Sequence, residues 1–226
     1  MLHRCPKALV QKENVLKRGL VIDLETGGLD PRTCGITDIA AAVFEYSEDW
    51  KVVNVVGKFQ TFVKPVLPRL TYSDEALKVQ GKSLQFLVDN GIPEQVALAN
   101  LASFIQRNFT GIPAKEIDFW GHNSSFDLQF LIEAYKGRHG LYTPFNWYCL
   151  DTMALFRILR IAGYHSERQS KLDNVAKVYG FEIPAEDRHT ALGDVMGTIL
   201  ALKAMMPIIV KTGVVESTSQ NLTLDF

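Results

Sequence analysis

The stretch Leu20-Val21-Ile22-Asp23-Leu24-Glu25-Thr26-Gly27-Gly28-Leu29 decides how the chain reads. Its first six residues are an apolar run broken by two acids. Thr26-Gly27-Gly28 closes the run, which predicts a buried strand ending in a turn. Asp23 and Glu25 stand two apart, so in a strand both side chains leave one face of the sheet while Leu24 points to the other. Two like charges side by side on a buried strand are costly unless something positive neutralises them. Taken alone, the pair is equally explained by an edge strand with a wet face, or by each acid pairing with Arg or Lys.

Working outward, residues 36–46 and 52–63 are β-rich runs joined by Ser47-Glu48-Asp49, which predicts a hairpin and three consecutive strands. Lys64-Pro65 and Leu67-Pro68 end the sheet. A short helix is expected from Ser73 to Gln80, stopped at Gly81. A longer one starts near Pro93 and reaches Asn108, with Val96, Leu98, Leu101, Phe104 and Ile105 as its apolar stripe. Beyond it strands alternate with helices. Residues 117–120 read as a strand, 124–135 as a helix with Phe126, Phe130 and Leu131 inward, 147–150 as a strand and 151–161 as a helix. Residues 172–179 form another helix, with Gly180 suited to its C-cap. A last helix starts near Thr190, with Leu192, Val195, Ile199, Leu202 and Met206 at steps of three and four. Strands first and strand–helix alternation afterwards imply an α/β chain with one mixed sheet and helices packed on it.

Composition narrows the classes. The 226 residues carry 24 Lys+Arg against 25 Asp+Glu, a net charge of −1, with 47% hydrophobic residues, as in an ordinary globular protein. No apolar run is expected to be long enough to span a bilayer, and charge interrupts the N-terminus before a secretory signal could form. Cys5, Cys34 and Cys149 are too few and too scattered for a disulfide framework, so a reducing, cytoplasmic compartment is expected. The balanced charge argues against a protein that coats duplex nucleic acid, so any nucleic-acid chemistry must rely on a local site. Residues 1–18 form a basic extension, residues 19–208 a single domain, and residues 209–226 a Ser/Thr-rich flexible tail.

Two further acids bear on the first pair. Asp127 lies in Gly121-His122-Asn123-Ser124-Ser125-Phe126-Asp127, after a predicted strand and in the first turn of a helix. Asp194 lies in the first turns of the last helix, beside its apolar stripe. Acids in such places are rarely buried unless paired or bound to metal. Four carboxylates from three separate segments suit a hard divalent cation, Mg²⁺ or Mn²⁺, which takes oxygen ligands and keeps positions open for water and phosphate. His189 stands five residues before Asp194 on a polar segment, a candidate general base because its pKa lies near working pH.

Three runs then carry a resemblance: Asp23-Leu24-Glu25-Thr26-Gly27-Gly28-Leu29, His122-Asn123-Ser124-Ser125-Phe126-Asp127, and His189 with Asp194. In this order they resemble the three motifs of the DEDDh 3′–5′ exonucleases, a superfamily that includes the proofreading subunit of bacterial DNA polymerase III, ribonuclease T and oligoribonuclease. Leu150-Asp151-Thr152 and Lys171-Leu172-Asp173-Asn174 support the match, which covers roughly residues 19–205.

The resemblance implies a ribonuclease H-like fold: a five-stranded mixed sheet flanked by helices. It implies that Asp23, Glu25, Asp127 and Asp194 hold two divalent metals, and that His189 is the base. The implied reaction releases nucleoside 5′-monophosphates from single-stranded DNA 3′ ends in proofreading or repair. Thr26, Gly27, Leu29 and Asn123 match residues that meet the terminal nucleotide. RNA trimming within the same superfamily is the alternative activity, and a silent domain that binds a DNA polymerase or clamp is the alternative of another class. Arg157, Arg160, Arg168 and Lys171 lie where cations would track an incoming strand, although a solvated charged loop reads the same way. The last six residues, 221–226, resemble peptides that dock on the sliding clamp, with Asn221 where Gln is typical.

Overall fold

The computed structural model describes residues 16–184 and 190–212. The residues before 16, the segment 185–189 and the tail after 212 lie outside that description, and with them His189 and the clamp-like peptide.

Strands β1 (Lys17–Thr26), β2 (Ile36–Tyr46) and β3 (Val53–Phe62) form the predicted antiparallel meander. The short β4 (Phe119–Gly121) and β5 (Cys149–Asp151) add on the other side of β1, both parallel to it, giving the order β3-β2-β1-β4-β5. This is the five-stranded mixed sheet expected of the ribonuclease H-like class. Exposure along each strand follows from its place. β3 alternates residue by residue as an edge strand with one wet face does, while β2 is buried from Ile36 to Phe44 because helices cover both its faces.

The period of two in β1 sorts its side chains. Leu20, Ile22 and Leu24 enter a core with Leu98, Leu101 and Phe130. Val21 enters a second core with Ala40, Ala42 and Phe44, closed by the last helix. Asp23 and Glu25 continue the Val21 row, and so come out on the face that this helix covers.

The helices are α1 (Asp74–Val79), α2 (Leu84–Asn90), α3 (Glu94–Asn108), α4 (Ser124–Ile132), α5 (Thr152–Ile161), α6 (Leu172–Tyr179) and α7 (Ala191–Thr212). Ser73, Ser83 and Asp151 cap α1, α2 and α5 by accepting backbone N–H groups of the first turn. Gly180 closes α6 at φ 71°, the left-handed C-cap that its position predicted.

Several expectations change. α2 was not foreseen, because seven residues between two turn signals carry too little periodicity. Val96 is 46% exposed and lies off the apolar stripe of α3. α4 gives way to a π-helical turn over Glu133–Arg138 instead of continuing as regular helix. β1 begins at Lys17, inside the expected extension, with Arg18 bound to Glu45 at 2.9 Å. α7 runs through Pro207 to Thr212. A proline inside a helix removes one hydrogen bond, but Met206 and Val210 still pack against the core that Val21, Phe44 and Leu202 form. α7 also corrects the membrane reading: by length and composition alone it is apolar enough to cross a bilayer. Asp194 and Lys203 split it into shorter runs without making the whole polar. In the fold it packs on β1 and β2 through Ala191, Val195, Ile199 and Leu202.

Candidate metal centre

The end of β1 delivers Asp23 and Glu25, and the first turn of α7 delivers Asp194. One carboxylate oxygen from each lies within 4.8 Å of the others. Asp127, in the first turn of α4, is 3% exposed, and its Oδ1 accepts the backbone N–H of Leu24 at 2.9 Å. It is therefore pressed against the strand between the first two acids, although it is not one of the three clustered oxygens. Of the five residues expected to do the chemistry, three converge, a fourth abuts them, and His189 lies outside the described residues.

Electrostatics show what this convergence costs. Burial pushes the Asp23 carboxyl well above its ordinary range, and Asp127, Asp194, Glu25 and Asp38 push it further. Burial raises Glu25 to about 8, with Lys82 pulling it down and Asp194 and Asp38 pushing it up. Asp127 is raised by burial, against the N–H of Leu24, which favours the charged form. An all-oxygen, partly buried donor set that repels itself is what a hard divalent cation neutralises. The residues fit such an ion.

The rim is held by hydrogen bonds. Asp151 Oδ1 accepts the N–H of Asn123 at 2.9 Å and of Met153 at 2.8 Å, tying the ends of β4 and β5 together. Asn123 is exposed and takes φ 69°, the left-handed conformation that turns the chain from β4 into α4. His122 Nε2 donates to Ser170 O at 2.7 Å, and Nδ1 lies 2.9 Å from the Thr152 hydroxyl, which itself donates to Gly121 O at 3.1 Å. Burial lowers the His122 pKa, against the Ser170 carbonyl and Asp151, which raise it. A cleft of about 310 Å³ opens beside these residues, lined by His122, Asn123, Met153, Lys171 and Asp194. Lys171, from the expected basic track, lines this cleft with Asp194, while Arg157 turns to the Ser170 hydroxyl at 3.0 Å.

The turn after β1 behaves as its residues require. Thr26 is buried, and its hydroxyl donates to Gly28 O at 2.7 Å. A side chain at Gly27 would sit 2.6 Å from Thr71 O, so glycine is demanded here by the chain's own backbone. Leu29 is 84% exposed and takes no part in the core. Its loop is braced by Arg138, which holds Glu94 through two nitrogens at 2.7 and 2.8 Å and donates to Pro31 O at 2.9 Å.

The sequence reading missed Asp38 and Lys82. Asp38 is fully buried on β2, opposite Glu25, and accepts Lys82 Nζ at 3.2 Å. An acid inside a strand as apolar as β2 was the available signal. Nothing in the local pattern marked Lys82.

Comparison with known proteins bears on this arrangement. A family model described as exonuclease, of the RNase T type, matches residues 20–202. Ribonuclease T of Actinobacillus pleuropneumoniae is 22% identical over 187 residues, 83% of this chain and 82% of that protein. A DNA polymerase III subunit epsilon-like protein of Rhodobacter capsulatus is 29% identical over 197 residues, 86% of this chain but 24% of that protein. Among solved structures, E. coli exonuclease I in complex with a dT13 oligonucleotide superposes with TM-score 0.66 at 20% identity, over 87% of this chain and 43% of that one. A product-bound structure of exonuclease I gives TM-score 0.67 at 20% identity, over 88% and 46%. The chain therefore spans less than half of exonuclease I.

Proposed function

Because the chain belongs to the exonuclease family matched over residues 20–202, we propose that it hydrolyses single-stranded DNA from the 3′ end, releasing nucleoside 5′-monophosphates in proofreading or repair. Membership makes it a hydrolytic nuclease of the DEDDh 3′–5′ superfamily, whose members depend on divalent metal. The observation that carries the reading is the meeting of Asp23, Glu25 and Asp194 oxygens within 4.8 Å, from opposite ends of the chain.

Asp23, Glu25, Asp127 and Asp194 would hold two ions, Mg²⁺ or Mn²⁺. When bound, such ions lower the pKa of the attacking water and offset charge at the phosphorus and the leaving 3′ oxygen. Asp127 keeps its place by accepting the Leu24 N–H, so its carboxylate is oriented before any ion arrives. His189 would take the proton of the attacking water. Leu29 offers an exposed apolar surface to the terminal base, sequence-tolerant because every base has an apolar face. Thr26, Gly27 and Asn123 would line the terminal nucleotide. The catalytic domain proposed for residues 19–208 is best widened to include β1 from Lys17 and α7 to Thr212.

DNA is favoured by the likeness to exonuclease I in complex with dT13 and to an epsilon-like protein. RNA trimming is the second reading, supported by likeness to ribonuclease T over most of that protein. A silent binding domain has no physical use for a self-repelling acid cluster. Docking on a sliding clamp through residues 221–226, or on a DNA polymerase, stays a proposal from the sequence. The deciding experiment incubates 5′-labelled DNA and RNA of matched sequence with the full chain and Mg²⁺ or Mn²⁺. Faster shortening of DNA to mononucleotides supports the first reading, faster RNA loss selects the second, and no hydrolysis of either rejects both.

A further inference from the structure

The β1–β2 ladder brings a fifth acid to the cluster and a lysine to meet it. Glu25 and Asp38 are Cα partners in antiparallel register, so their side chains leave the same face, with Cβ atoms roughly 5 Å apart. Asp38 Oδ2 accepts Gln60 Nε2 at 2.9 Å and Lys82 Nζ at 3.2 Å, while its Oδ1 has no hydrogen-bond partner among the described residues. The Lys82 side chain is 8% exposed, and its ammonium lies 5.2 Å from the centroid of Phe62, the Cα partner of Asp38 on β3. The segment that delivers Lys82 is itself fastened to the ends of the two strands. Gln80 donates to Thr26 O and accepts the Thr37 hydroxyl, both at 2.8 Å.

A buried carboxylate with an idle oxygen beside Glu25 is a hazard in a metal centre, because a hard cation takes whatever carboxylate oxygens lie in reach. Four ligand acids balance two divalent ions in charge; a fifth free acid would not be balanced. We propose that Lys82 is a positioning residue for the metal centre. Its ammonium occupies Asp38, keeps that carboxylate out of the ligand set, and leaves Glu25 to face Asp23 and Asp194. This inference rests on the exonuclease reading, and Lys82 acts through Asp38 and Glu25 without touching substrate.

The test uses the full chain and three variants: Lys82→Met, Asp38→Asn, and the two combined. Mn²⁺ alone is titrated calorimetrically into metal-free protein, and kcat and KM are measured on labelled single-stranded DNA. In Lys82→Met, Asp38 loses its one cationic partner among the described residues and keeps the Gln60 amide, so its charge is free to meet a metal ion. Mn²⁺ affinity is expected to be kept or increased, while kcat falls by about tenfold or more at unchanged KM, as misplaced reacting groups cause. In Asp38→Asn the freed ammonium competes for Glu25, and Mn²⁺ affinity falls by about tenfold, in the range seen when a supporting partner is removed. The double variant lacks both charges and recovers both quantities. Wild-type kcat in a folded Lys82→Met, or a double variant no better than either single one, overturns the proposal. If Lys82→Met does not fold, Asp38→Asn and the double variant decide, and unchanged Mn²⁺ affinity in Asp38→Asn overturns it. Wild-type protein that binds Mn²⁺ but cleaves no nucleic acid rejects the exonuclease reading, and the Mn²⁺ comparison still decides the role of Lys82.

Discussion

The carboxylate of Asp127 accepts the backbone N–H of Leu24 at 2.9 Å, across 103 residues of sequence. One bond thus docks the first turn of α4 on the strand that carries Asp23 and Glu25. It also separates two roles of Asp127, acceptor and charge. Asp127→Asn keeps an acceptor and removes one of the crowded charges, so the metal-free protein is expected to melt at higher temperature than wild type while exonuclease activity is lost. Asp127→Ala strands the Leu24 N–H and should be less stable than the Asn variant by about 1–3 kcal/mol. Thermal melts in chelator, paired with nuclease assays, check both; an active Asp127→Asn would remove this residue from the centre.

Glu25 makes stability depend on pH in an unusual direction. Its carboxyl is raised from 4.5 to about 8 by burial. Between those values the folded, metal-free chain holds a proton that the unfolded chain has released. The stabilisation is therefore complete below the unfolded value and is lost as pH rises through the folded one. Melting temperature in chelator should fall between about pH 5 and about pH 8, and saturating Mn²⁺ should flatten the slope because the ion takes over the neutralisation. A flat profile in chelator would show that Glu25 is ionised throughout.

His189→Ala should reduce the hydrolysis rate by about 10²- to 10⁴-fold, the usual contribution of a general base, with Mn²⁺ binding largely kept. Loss of Mn²⁺ binding in the calorimeter would make His189 a ligand instead.

Leu29 is 84% exposed, so folding gains little from it. Leu29→Ser should shift stability by less than about 0.5 kcal/mol yet raise KM for single-stranded substrates several-fold at unchanged kcat. Equal KM values for variant and wild type would leave Leu29 as surface only.

How much of this could be read in advance differs from element to element. The meander, the parallel pair beyond it and the Gly180 cap were legible because each is written in local pattern: period two, turn residues, a glycine where the backbone turns left-handed. The acids at 23, 25, 127 and 194 were legible because their motifs recur in one order along the chain. Asp38 and Lys82 were not, since their significance lies in the β1–β2 register and in a turn that folds back over it. The run of α7 through Pro207 was hidden too, because packing of Met206 and Val210 on the second core overrides what a proline does in isolation.

The sequence by itself determined the fold class, the family and which acids were candidates for the site, because hydrophobic period and motif order are properties of the chain alone. Tertiary structure decided which carboxylates meet, which one is docked on a backbone N–H, and which is matched by a buried lysine. Distances between charges depend on register and packing, and the cost of a buried charge is set by what folding places next to it.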